Sequence, residues 1–408
     1  MKALAWSYAV AALLMLTALP AVRLKAQDSS RVTFSGELRL RGEWDGRTVG
    51  VNDDAATLSR IRLGARVTVT DWIAAFAQLQ DARVWGTEAN TLTDASANGL
   101  DLHQGYADLG SSARFTARLG RQEVNLGDQR LVGAVGWTNT GRAFDGARLL
   151  GRAGAIEWTV FWMNVAERDS LLTVGTNPQR NQGLNNDGWL IGGFATRTFG
   201  GATAEGTFLA DRDAITSESY TADLRIHGTS GGFLYDATAA YQFGPNRSAY
   251  FASGKAGLSM SRGSLAAQLD YLSGDDNPNA GDAKAFNTLY ATNHKFYGYM
   301  DYLLDIPGQL DQAGLVDAML RSSLAVSAVT GLRADLHHFR LARERANAKT
   351  LGTEIDLIGD WVMTHGADLE AGGGLFFSTD LAAALLPAFA NGSDPTYWGY
   401  VQLTLRWP

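Results

Sequence analysis

Arginine recurs at every second position in two neighbouring stretches of the chain, Arg39 and Arg41 in the first, Arg60 and Arg62 in the second, with Arg66 two steps further on. Leu40, Ile61, Leu63 and Ala65 fall between them. In an extended strand a spacing of two sends the arginines to one face and the aliphatic residues to the other. The guanidinium fork is planar and always charged, so it can hold a carboxylate through two parallel N–H···O bonds, whereas a lysine offers only a point charge. Five such groups with only Glu37 close to them predict positive charge that is not neutralised internally, and a low-dielectric wall focuses such charge into an anion-attracting field.

Other chemistries find little support. The histidines, His103, His227, His294, His337, His338 and His365, come without a serine-centred or H-E-x-x-H signature. His337 and His338 adjoin one another, so on a strand their rings point to opposite faces and make no metal pair. The chain has no cysteine, which removes thiolate catalysis, disulfides, cysteine zinc sites and a lipoprotein anchor together. An enzyme is not expected, and neither is a metal or a cofactor.

The elements that must carry these arginines are strands. From Arg31 to Trp407 the chain reads as segments of about ten residues that alternate apolar and polar side chains, the sequence form of a transmembrane β-barrel. Arg31 to Trp44 sets Phe34, Leu38 and Leu40 against Glu37, Arg39 and Arg41; Leu58 to Thr70 repeats the pattern. Further strands are expected at 73–84, 100–110, 114–122, 143–152, 155–165, 187–199, 202–211, 218–228, 232–243, 250–262, 264–273, 314–328, 330–342, 349–363, 366–377 and 395–407. That makes about eighteen, an even number that puts both ends of the barrel chain on the periplasmic side, with short turns there and long loops outside. The fold class expected is all-β, a transmembrane antiparallel up-and-down barrel.

Composition agrees. The 46 glycines, 11 tryptophans and 8 prolines suit a curved sheet with aromatic girdles. Lys2 followed by the apolar run Ala9 to Ala18, with small residues at Ala21 and Ala26, reads as a secretory signal peptide over 1–26, leaving 27–408 as one barrel domain. Without Lys2, Arg23 and Lys25 the remainder carries 32 basic and 42 acidic residues, and no nucleic-acid partner is expected.

With the faces assigned, the inward basic set extends to Arg114, Arg118, Arg148, Arg225, Lys255, Arg321 and Arg333. The acids are Glu37, Asp108, Glu157, Asp223, Asp236, Asp270, Asp335, Glu354, Asp356, Asp368 and Glu370. The first six strands hold the arginines and the thirteenth to seventeenth are mainly acidic, so one positive and one negative wall are expected. The Gly127 to Gly141 stretch, followed by Arg142, is expected as a third outer loop that folds inward and narrows the pore or covers its mouth, with Asp128, Arg130, Trp137, Asn139 and Arg142 as its candidate residues. Gly274 to Ala313 forms a long loop in which His294, Lys295, Phe296, Tyr297 and Tyr299 suit either sugar stacking or loop packing. Leu381 to Ala390 reads as an apolar lid on the mouth.

The segment Leu119 to Leu149, LGRQEVNLGDQRLVGAVGWTNTGRAFDGARL, resembles the alginate export family of outer-membrane barrels, and SRIRLGA at Ser59 to Ala65, AQLQDARVWG at Ala77 to Gly86 and TLYATNHKFYGYMDYL at Thr288 to Leu303 agree with it. The resemblance implies an eighteen-stranded barrel whose arginine-lined conduit exports an anionic polysaccharide such as alginate. It implies outer-membrane lipid, lipopolysaccharide and periplasmic export components as partners. Uptake of small anions or acidic oligosaccharides is the other transport reading, since a passive pore follows whatever gradient exists.

Overall fold

Alternation of side chains along the chain produces the architecture directly. The computed structural model describes residues 31–85, 100–111, 115–166, 188–212 and 218–408. The segment expected to be the signal peptide, and Arg114, lie outside the described residues. The strands are β1 (Val32–Gly46), β2 (Asp54–Thr70), β3 (Ile73–Val84), β4 (Leu100–Ser111), β5 (Phe115–Gln122), β6 (Phe144–Ala153), β7 (Ile156–Ala166), β8 (Gly188–Phe199) and β9 (Ala202–Asp211). They continue as β10 (Ser219–Ser230), β11 (Phe233–Gly244), β12 (Arg247–Met260), β13 (Gly263–Leu272), β14 (Leu315–Ala325), β15 (Thr330–Arg345), β16 (Ala348–Thr364), β17 (Ala367–Ser378) and β18 (Thr396–Trp407).

Each strand pairs antiparallel with its neighbour in sequence, and β1 pairs with both β2 and β18, so the 18-stranded sheet closes on itself without an edge. Closure runs over eleven residue pairs, from Gly36 opposite Trp407 to Gly46 opposite Tyr397. At the seam a side chain on Gly36 would collide with the Trp407 ring, whose atoms lie 2.0 Å from the position of a Cβ. The indole covers a glycine that exposes its strand.

The outward face is apolar and exposed: Phe34, Leu63, Leu224 and Leu258 among many. The inward face carries Arg39, Arg41, Arg60 and Arg62, each under a tenth exposed. The outer connections are not uniformly long. β12 begins earlier than its sequence pattern suggests and β15 runs later, so β11 to β12 and β15 to β16 are joined by two-residue turns, with Asn246, Ala346 and Asn347 at positive φ.

Sheet polarity predicts a wet interior, yet an apolar core occupies part of it. Loop 3 (123–143), loop 7 (273–314) and loop 9 (379–395) contribute Val124, Val132, Tyr290, Phe296, Met300, Leu303, Ile306, Leu381 and Phe389, which pack on inward residues such as Phe161, Leu209, Phe339, Phe376 and Tyr400. The stretch Leu381 to Ala390 folds as the short helix α1 (Asp380–Leu385) and a 3-10 turn at Pro387–Phe389. Leu381, Ala382, Leu386 and Phe389 are buried, and the Ala388 carbonyl accepts the Val49 amide of the first outer loop. These loops therefore close on one another above the wall that the strands present.

Candidate functional site

Four of the five clustered arginines, Arg39, Arg41, Arg60 and Arg62, meet loop 3 from the wall below it. Arg39 donates through Nη1 to the Gly136 carbonyl at 2.9 Å and through Nη2 to the Thr138 carbonyl at 2.7 Å. Arg41 donates to the Trp137 carbonyl at 2.9 Å, Arg60 to those of Gly136 and Thr138 at 3.1 Å each, and Arg62 to that of Thr140 at 3.2 Å. Asn139 ties the same turn to the strands, its amide donating to the Ser59 and Arg83 carbonyls. Loop 3 thus folds inward, and its backbone acceptors take up donors that the sequence pattern leaves open.

Carboxylates reach four of the five. Arg60 pairs with Glu37 at 2.7 Å, Arg41 with Glu43 at 2.8 Å, Arg62 with Glu123 at 3.1 Å and Arg66 with Asp108 at 3.0 Å. The expectation that only Glu37 stands near this cluster is therefore corrected. Glu43 shares the inward parity of Arg39 and Arg41, and Glu123 follows β5 directly and turns back beneath loop 3. Among the described residues Arg39 has carbonyl and amide acceptors only.

The far side of loop 3 is anchored on the opposite wall. Arg130 pairs with Asp270 of β13 at 2.6 Å and with Asp128 at 3.2 Å, while its guanidinium lies 4.1 Å from the Phe296 ring centre. Burial works against this cation, but the adjoining Asp270, Tyr297 and Asp128 hold its pKa above the usual arginine range. Arg142 donates to the Tyr290 and Gly133 carbonyls, and burial draws its pKa below the usual range. Val132 and Tyr290 form a parallel bridge that joins loop 3 to loop 7.

Trp137 is enclosed. The Arg41 guanidinium sits 4.3 Å from its ring centre and the His294 ring stacks on it at 4.2 Å and 8°. Tyr400 and Trp398 meet it edge-on. His294 Nδ1 lies 2.7 Å from Asp301 Oδ1. Of the loop 7 residues read as suiting sugar stacking or loop packing, His294 stacks on Trp137 and Phe296 lies on Arg130, while His294, Lys295 and Tyr299 also line a cavity.

Below both loops lies a cavity of about 560 Å³. Arg39, Arg60, Lys255, Lys295, Arg321, Arg333 and Arg406 line it against Glu37, Asp335 and Glu370, with Trp137, His294 and Tyr299 above. Arg333 donates to Tyr299 Oη and to Glu370, both at 2.9 Å, and Arg321 to the Lys295 carbonyl at 3.2 Å. Burial lowers the Lys295 pKa, an effect that Asp128 opposes. A second cavity, of about 460 Å³, lies against β5 to β8 and includes Arg148, which donates to Thr159 Oγ1 at 2.9 Å. Arg118 pairs with Asp108 at 2.8 Å, and Arg225 with Glu205 and Asp236 at 2.8 and 2.7 Å.

An arginine-bearing wall under loops that carry the GDQRL segment is now in view, and a family match covers both. The model of the family described as alginate export matches residues 30–385. The chain belongs to the alginate export family. Solved structures with the same fold include Pseudomonas aeruginosa OccK5 (OpdH), at TM-score 0.64 and 13% identity, covering 93% of this chain and 99% of that one. Pseudomonas aeruginosa OccK11 (OpdR) follows at 0.62 and 12%, covering 92% and 96%, and Acinetobacter baumannii OccAB4 at 0.61 and 8%, covering 93% and 99%. No curated protein sequence matches the chain. This alginate export family member is an outer-membrane channel of eighteen strands, and its place is the bacterial outer membrane.

Several partners escape a reading by side-chain type. Glu43 carried a parity signal, whereas the carbonyls of residues 136–140 carried none, because every residue has one.

Proposed function

We propose that this outer-membrane channel passively exports an anionic, alginate-like polysaccharide, with periplasmic export components delivering the chain to its inner mouth. The observation that carries the reading is the lining of the lower cavity, where seven cationic side chains outnumber three carboxylates. The exposed Lys295 is the group a passing uronate would meet first, with Arg39 buried behind it and held by loop 3 carbonyls. Arg321 and Arg333 supply the facing donors.

Uptake of small anions or acidic oligosaccharides is favoured by a different observation. A cavity of about 560 Å³ matches small-molecule sites, typically ~300–1,000 Å³, and loops 3 and 7 roof it. A polymer needs those loops to yield, whereas a small anion needs less.

Planar-bilayer recordings with polymannuronate or polyguluronate test the proposal, with free uronate monomer as the comparison. Export predicts anion selectivity and block by polymer at lower sugar concentration than by monomer. Monomer block without polymer block supports uptake. Absence of both anion selectivity and block sinks the two readings together.

A further inference from the structure

Where loop 7 meets β16, the wall carries two carboxyl groups with no exposed surface, Glu354 and Asp356. Glu354 Oε1 accepts the Met300 amide at 2.9 Å, and Asp356 Oδ2 accepts the Tyr299 amide at 3.4 Å. The other oxygen of each, Glu354 Oε2 and Asp356 Oδ1, is enclosed and receives no donor among the described residues. Residues two apart on a strand share a face, so the pair sits side by side on the inward wall. Two adjoining carboxylates in dry surroundings do not both keep their charge, and a proton given by one to the other fills both vacant acceptor positions at once.

We propose that Glu354 and Asp356 share one proton that latches loop 7 inside the lumen, and that loss of this proton to water releases the loop and widens the channel. The seat is tight: Gly298 has φ of +87°, and a Cβ there would lie 2.4 Å from Glu354 Oε1. Loop 7 carries Tyr299, whose hydroxyl accepts from Arg333, and the carbonyl of Lys295 that accepts from Arg321. Moving the 298–300 segment therefore moves the roof of the lower cavity.

The charged groups around the pair are largely matched with one another, so burial sets the direction. Asp301 on loop 7 is held by His294 at 2.7 Å and lies near Arg47, Asp335 on β15 is paired with Arg321 at 3.5 Å, and His337 on β15 is bound to Asp317 of β14 at 2.8 Å. Arg321 is the remaining cation acting on His337 and Asp317. A second negative charge on the pair would lie in a dry site where neither vacant oxygen has a donor, so it is disfavoured, and the docked state loses ground as pH rises. The inference is independent of which anion the channel carries.

Conductance of the full-length channel, recorded from about pH 5 to about pH 10, tests it. Wild-type protein is expected to pass from a low- to a high-conductance state, the ratio of the two changing up to about tenfold per pH unit, as release of one proton allows. Glu354→Gln keeps a donor for Asp356 and cannot ionise, so it should stay in the low state throughout. Gly298→Ala should favour the high state at every pH. Folding is verified by heat-modifiable gel migration, and if E354Q does not give the folded band, Asp356→Asn carries the same expectation. A wild-type conductance that ignores pH overturns the proposal, as does a folded E354Q or D356N that retains the wild-type rise.

Discussion

Replacing Arg130 by methionine removes the main tether of loop 3 to the far wall while keeping a flexible apolar stem against Phe296. In the native molecule the Arg130 side chain meets Asp270 at 2.6 Å, and Asp270 is fully buried. It also accepts from Ser253 at 2.6 Å and from Gln268 at 2.9 Å. Removing one partner of a buried pair costs about 3–5 kcal/mol because the other charge is stranded, and loss of the Phe296 contact adds about 1 kcal/mol. Together these amount to about 4–6 kcal/mol, a shift of at least about a thousandfold in the docking equilibrium of the loop. The β12–β13 ladder does not involve Arg130, so the loss should appear as local opening of loop 3, with the barrel intact.

The assay is trypsin cleavage after Arg142, whose guanidinium is held on the Tyr290 carbonyl in the docked loop, read beside single-channel conductance and heat-modifiable migration. R130M should be cut markedly faster and conduct more while migrating as a folded barrel. Adding Asp270→Leu removes the stranded charge and should restore much of the protection. Because the folded pKa of Arg130 is raised, its contribution is present below the unfolded value and lost only as pH rises through the higher folded one, above the working range of the assay. Wild-type protection of Arg142 in R130M, or a double variant no better protected than the single one, refutes the reasoning.

Changing Arg39, Arg60 and Arg62 together to glutamine should lower anion selectivity and loosen the turn at residues 136–140; an unchanged reversal potential in a salt gradient counts against their acting on the permeating ion. Glu123 is partly buried, which alone raises its pKa, yet His103 and Arg62 bring it below the usual carboxylate range. Its stabilising effect on loop 3 is therefore present above the unfolded value, about 4.3, and lost as pH falls through the lower folded one. Single-channel conductance recorded at each pH should rise in acid as the loop loosens in wild type, and be high and independent of pH over the same range in Glu123→Gln. Trp137→Ala removes the slab between Arg41 and His294 and should raise conductance without moving the folded gel band; equal conductance would mean that Trp137 does not obstruct the path.

Strands were legible because each must bury one face in lipid. Phe34, Leu38 and Leu40 against Glu37, Arg39 and Arg41 leave a single register, and all eighteen strands follow from the same rule. Their outer ends were less legible: Asp54 to Thr57 extend β2 beyond its alternating part, since past the lipid the hydrogen-bond ladder continues without a need for apolar side chains. The arginine cluster could be read from spacing, but its neutralisation could not. Glu123 and Asp108 reach Arg62 and Arg66 from other strands and loops, and loop 3 binds mainly through carbonyls. Glu354 and Asp356 read as wall acids, while their seating beneath Gly298 to Met300 depends on how a long loop returns into the barrel.

The pairing of β1 with β18 has a consequence for how the molecule comes into being. The two strands that complete the cylinder are the first and last in the chain, so the join bridges nearly its entire length, from Gly36 to Trp407. Bringing such distant partners together carries the largest entropic cost of any contact in the fold and slows it accordingly. Until Trp407 settles over Gly36, a partly assembled sheet presents two open edges of unpaired amides and carbonyls, which hydrocarbon cannot satisfy. Commitment to the membrane is therefore a late, all-or-none event governed by the final twelve residues of the sheet, and a chain shortened at that end should fail at insertion before any question of conduction arises.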